Sequence, residues 1–166
     1  MARVAELLET WARARGADRS ELLRWRAAAF LHDVLREAEP SYLRSLVPEG
    51  LRDLPDPVLH GPAAAARLER EGVRDRALLH AVAFHTIGHP KLDRLGRALY
   101  AADFLDAGRD CNGEWAAGLR DRMPEDPDEV VTAVARARIE RLLERGSLLR
   151  SETVAFWNSL VGGGGG

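Results

Sequence analysis

Apolar positions recur at helical spacing in block after block of this chain. Val4, Leu7, Leu8 and Trp11 share one face of a first helix that opens at the very start and stops at Gly16, a residue tolerant of positive φ. Asp18 with Glu21 has the spacing of a capping box, and Leu22, Trp25, Ala29, His32 and Arg36 then follow one face toward Pro40. This predicts a second helix with His32 turned inward. Prolines, Gly50 and scattered charges break the period from Pro40 to Pro57, so a loop with room for one helical turn is expected there, suited to part of a lid.

His60-Gly61-Pro62 opens an alanine-rich helix ending near Gly72, and Asp75 caps another that carries Leu78, Leu79, Val82 and Ala83 up to His85. Beyond Gly88 and Pro90, a helix from Lys91 to Asp103 aligns Leu92, Gly96, Leu99 and Asp103, so that Asp103 ends an apolar stripe. A short helix is expected around Trp115. A long one starts at Asp126-Pro127-Asp128-Glu129 and runs through Val130, Val134 and Leu142 to Gly146, and Ser151 caps a last one with Val154, Trp157 and Leu160. No segment alternates apolar and polar residues over the length of a strand. The expectation is an all-α, single-domain helical bundle over residues 1–161, followed by a flexible glycine tail, 162–166, that has no side chains with which to pack.

Composition narrows the partners. With 24 lysines and arginines against 26 acidic residues, the net charge of -2 gives no global positive field for nucleic acid, so an anionic ligand must be held locally. The single cysteine, Cys111, excludes an internal disulfide framework and a cysteine-rich zinc site, and fits a reducing, cytoplasmic setting. No apolar run approaches the roughly twenty residues that span a bilayer, and the N-terminus lacks the apolar core of a signal peptide. A surface rich in alanine and leucine allows a homodimer, although core packing explains the same residues.

Four of the five histidines fall at or near helix ends or turns, and carboxylates occupy two inward positions, Asp33 and Asp103. A buried aspartate needs a cationic partner, and Asp103 sits where the helix dipole disfavours an anion. A divalent metal would answer both needs. Taken singly these residues say little: an inward histidine is more often a hydrogen-bonded core residue than a ligand. His80 reads as a partly exposed helix residue and His89 as part of a turn. Trp11, Trp25, Trp115 and Trp157 read as packing residues, and Arg13/Arg15 with Arg136/Arg138/Arg141/Arg145 as solvated helix faces.

Taken together, the blocks carry a resemblance. Ala28-Ala29-Phe30-Leu31-His32-Asp33 looks like the signature of the HD-domain phosphohydrolases. His60-Gly61-Pro62, Phe84-His85-Thr86-Ile87-Gly88 and Tyr100-Ala101-Ala102-Asp103-Phe104, followed by Gly108-Arg109, resemble successive blocks of its YqeK-like branch, the symmetrical bis(5'-nucleosyl)-tetraphosphatases. Ala135 to Asn158 is similar to the C-terminal helices of that branch. The resemblance implies a helical HD domain with one or two divalent or mixed-valence metal ions, iron first and manganese or another transition metal next, splitting diadenosine tetraphosphate into two ADP. It makes His32, Asp33, His60, His85 and Asp103 the metal ligands, with Asp33 bridging and catalytic. Arg36, Thr86 and Arg109 would face the phosphates of a small-molecule nucleotide. Two positions depart from the branch. Its first helix carries one more histidine ligand ahead of the valine matched by Val4, and here that helix has none, which implies either a chain lacking its extreme N-terminus or a weakened site. Arg36 stands where the branch commonly has lysine, which keeps the charge but not the shape. Alternatives consistent with the same residues are an HD hydrolase for another nucleotide, or a degenerate HD domain that binds a nucleotide or protein partner without turnover.

Overall fold

Three aspartates start helices by the same device. Asp18 accepts from the Glu21 amide at 2.8 Å, Asp75 from Leu78 at 2.9 Å and Asp93 from Gly96 at 2.9 Å, each satisfying a donor that has no partner within its own helix. The computed structural model describes residues 1–106 and 113–162. In chain order it runs α1 (Ala2–Ala14), α2 (Arg19–Leu31), α3 (Pro40–Leu46), two 3-10 turns (Glu49–Leu51 and Asp56–Val58), α4 (His60–Arg70), α5 (Arg76–Phe84), α6 (Arg94–Leu105), α7 (Gly113–Arg122), α8 (Pro127–Glu144) and α9 (Ser151–Val161). Among the described residues there is no strand, and no helix is long and apolar enough to cross a membrane.

Some boundaries differ from the expectation. The second helix stops at Leu31 rather than near Pro40, because the chain beyond it changes its winding: Val34 bonds back to Leu31, Arg36 to Asp33 and Ala38 to Leu35. These bonds reach three residues back instead of four, a tighter turn than the α-helix. The helix expected from Lys91 begins at Arg94, behind the Asp93 cap, and α9 has Arg150, not Ser151, at its N-cap. The stretch after Pro40 holds a two-turn helix and two 3-10 turns instead of an open loop.

Two apolar clusters organise the packing. The larger joins α1, α2 and α6 to α8 and α9 through residues such as Leu8, Trp11, Trp25, Leu99, Val134 and Phe156. The smaller gathers Leu43, Leu54, Leu59, Ala63, Ala64 and Val82 around α4. Helix α5 lies at the seam, giving Leu78 and Ala81 to the first cluster and Leu79 and Val82 to the second. Complete burial of a leucine such as Leu8 or Leu99 contributes about 1.5–3 kcal/mol. Trp11 and Trp25 are core residues as expected, and Trp157 packs partly buried against the larger cluster, whereas Trp115 is 38% exposed.

Two glycines permit close approaches at the seam. A Cβ on Gly61 would lie 2.9 Å from the carbonyl oxygens of Val82 and Ala83, so only glycine lets the start of α4 reach the end of α5. Gly88 has φ +75 and its Cβ would fall 2.3 Å from Phe156 Cδ1 on α9, so both the turn and the helix packed on it require glycine.

Candidate functional site

His32, His60 and His85 come from three different segments but are held in one way. The Nδ1–H of His32 donates to the Ala29 carbonyl at 2.8 Å, that of His60 to Pro57 at 3.0 Å and that of His85 to Val82 at 2.7 Å. A carbonyl can only accept, so each bond places the ring proton on Nδ1 and leaves Nε2 as the outward lone pair. All three side chains are buried. Their Nε2 atoms converge at the seam: His60 and His85 are 3.1 Å apart there, and the His85 ring makes edge contacts with both other imidazoles.

The tightened turn after α2 brings Asp33 onto the same point. Its Oδ1 lies 3.1 Å from His60 Nε2 and 3.7 Å from His85 Nε2, and its Oδ2 lies 3.5 Å from His32 Nε2. Burial alone would raise the Asp33 pKa, but His32, His60 and His85, which can donate to its carboxylate only when they also carry a proton on Nε2, outweigh it in that state and hold the carboxyl well below the usual carboxylate range. Burial pushes the His85 imidazole the other way, below its ordinary value. The Thr86 hydroxyl adds a donor 3.2 Å from His85 Nε2.

Asp103 reaches the cluster from the last turn of α6, its Oδ1 3.8 Å from His32 Nε2. Sequence reasoning asked for one metal to neutralise both carboxylates, but each already has an arginine. Arg36 Nη1 lies 3.2 Å from Asp33 Oδ2, and Arg138 Nη2 donates to Asp103 Oδ2 at 3.0 Å. Expected on a solvated face, the Arg138 side chain is instead only 12% exposed. The signal was present, because Val130, Val134 and Arg138 follow at four-residue steps and the two valines are fully buried. Arg109, expected to face the phosphates, and Cys111 lie outside the described residues. His80 and His89 pack with Phe84 in a separate ring cluster.

The donor set fits a metal. The His60 and His85 lone pairs and Asp33 Oδ1 are three electron-rich atoms crowded together, and a single proton can relieve only one pair of them. A divalent cation satisfies all at once. His32, Asp33 and His85 each offer an atom with all three mutually within 4.8 Å, a group that could hold a metal ion. Imidazole and carboxylate without thiolate suit iron, manganese, zinc or a related ion.

Comparison with known proteins bears on this arrangement. The chain is 26% identical over 140 residues to a symmetrical bis(5'-nucleosyl)-tetraphosphatase of Halalkalibacterium halodurans, covering 81% of this chain and 74% of that protein. It is 26% identical over 142 residues to the protein of the same name from Bacillus subtilis, covering 82% and 75%. A Clostridium acetobutylicum crystal structure, described as a predicted HD superfamily hydrolase involved in NAD metabolism, superposes with a TM-score of 0.82 at 22% identity, over 96% of this chain and 85% of the other; at that identity the likeness shows the fold. The family model described as HD domain matches residues 1–108, a span that takes in His32, Asp33, His60, His85 and Asp103, and the chain accordingly belongs to the HD domain family.

Proposed function

We propose that this metal-dependent phosphohydrolase of the HD family cleaves dinucleoside polyphosphates, with diadenosine tetraphosphate split symmetrically into two ADP. The observation that carries the reading is the facing pair of His60 and His85 Nε2 atoms, 3.1 Å apart beside Asp33 with both Nδ1 positions committed to carbonyls. Names of relatives covering most of the chain support the substrate.

In this reading His32, Asp33, His60, His85 and Asp103 would hold the ion or ions, iron by preference, with Asp33 as the carboxylate serving both where two are bound. When bound, such an ion polarises a phosphoryl oxygen and makes water acidic enough to attack near neutral pH. Asp33, placed among three imidazoles, accepts a hydrogen bond from the attacking water and orients it. Arg36, at the open side with 46% of its side chain exposed, can leave Asp33 to meet a phosphate. Thr86 donates its hydroxyl to the same region, and Arg109 is assigned a second phosphate contact.

The test is anaerobic purification, elemental analysis of the bound metal, and chromatography of the products from diadenosine tetraphosphate. Metal near stoichiometry with ADP as the sole nucleotide product supports the proposal. Products AMP and ATP reject the symmetrical cut, and no turnover with iron or manganese supplied rejects this substrate.

A further inference from the structure

We infer that Arg138 is a positioning residue for the metal centre, fixing one oxygen of Asp103 so that the other faces His32. Through it a helix beyond the HD match becomes part of the site. The inference rests on the metal-centre reading above.

Arg138 lies on α8, outside residues 1–108 that match the family model. Its guanidinium makes three bonds from one plane: Nη2 donates to Asp103 Oδ2 at 3.0 Å and to the Tyr100 carbonyl at 3.0 Å, and Nη1 donates to the Thr86 carbonyl at 3.3 Å. The group therefore binds α6 and the residue following His85 at once. Its Cζ lies 4.5 Å from the centre of the Tyr100 ring and 4.9 Å from that of Phe104. These contacts fix the fork's orientation and remove it from water, where its charge would be screened. Among the described residues Arg138 Nε is buried without a hydrogen-bond partner, a cost carried by the side chain while it makes its other contacts. Asp103 is 3% exposed in its side chain, and with Oδ2 held its Oδ1 stays 3.8 Å from His32 Nε2. The two carbonyls and the two rings hold the fork in place, so its single bond to Oδ2 comes from a fixed point, which a flexible ammonium would supply less well.

Positioning and plain electrostatics predict opposite signs. Arg138 is a fixed positive charge beside a cation site, so by Coulomb repulsion alone its removal should tighten metal binding. If the side chain orients a ligand, its removal should loosen binding, by about 10–100-fold for an outer partner of this kind.

The experiment titrates cobalt(II) into the metal-stripped full chain and follows visible absorption, for wild type, Arg138→Met and Arg138→Lys, with circular dichroism of each stripped protein. The expected result is a folded Arg138→Met whose cobalt affinity falls about tenfold or more with an altered ligand-field spectrum, and partial recovery in Arg138→Lys. Unchanged or tighter binding in Arg138→Met overturns the inference. Should that variant lose the wild-type dichroism, Arg138→Lys decides: weaker binding with an altered spectrum supports the role, and wild-type affinity overturns it. A wild type that captures no cobalt removes the metal centre itself and this inference with it, whereas binding wild type with indifferent variants removes the inference alone.

Discussion

Asp33 and Asp103 both approach His32 Nε2, at 3.5 Å and 3.8 Å, and each is paired with an arginine at nearly the same distance, 3.2 Å and 3.0 Å. Their surroundings differ. Asp33 sits in a turn, 16% exposed in its side chain, against an Arg36 that is 46% exposed; for Asp103 and Arg138 the figures are 3% and 12%. A pair open to water is weak and easily exchanged, while a buried pair is costly to break because the survivor remains charged and unsolvated. Equal distances thus conceal unequal surroundings: the Asp33–Arg36 pair is open enough to exchange partners, and the Asp103–Arg138 pair is enclosed.

The largest effect expected from breaking this contrast is on chemistry at the exposed side. Asp33→Ala should lower kcat/KM for diadenosine tetraphosphate by at least about a thousandfold, roughly 4 kcal/mol of transition-state stabilisation, with the far-UV dichroism kept. On the buried side, Asp103→Ala should register as stability, a loss of about 3–5 kcal/mol in urea denaturation, because Arg138 keeps its charge among Tyr100 and Phe104. A wild-type midpoint after that change would show that Arg138 is solvated after all. Metal removal tests both sides together: an ion at about 100 times its dissociation constant should add about 2.7 kcal/mol to stability, visible as a fall in melting temperature on chelation. Arg36→Ala should be mildest, within about 1 kcal/mol of wild-type stability, while KM rises about tenfold for loss of one charge-assisted phosphate contact. An unchanged KM would remove Arg36 from the substrate's path.

Much of this arrangement was legible in the chain. The Asp18 and Asp75 caps lie three residues ahead of the amides they bind, and the period of Leu8, Trp11 and Leu99 follows the buried faces, whereas the Asp93 cap falls inside the helix expected from Lys91. The end of α2 was not legible, because the change from four-residue to three-residue bonds after Leu31 is marked by no glycine or proline before Pro40. That these histidines and aspartates come together was readable only as a resemblance, since the adjacency of His32 and Asp33 says nothing of what they meet, and the meeting of His60 with His85 depends on the contact of α4 with α5 that Gly61 permits. Arg138 escaped because a charged residue among arginines reads as surface; its four-residue step from Val134 was the better guide. Trp115 failed in the opposite sense, an aromatic on a helix end too exposed to be core.

The turn after His85 is fastened by α9: Phe156 closes over Gly88, and the Thr153 hydroxyl donates to the Ile87 carbonyl at 2.8 Å across 66 residues of sequence. At a synthesis rate of about 5–20 residues per second, Thr153 is made roughly 3–13 s after the carbonyl it binds. During that interval His32, His60 and His85 have all been translated while the turn beside them lacks its fastening. A nascent chain therefore carries these three histidines before the turn beside His85 is fastened, and slow elongation lengthens that interval.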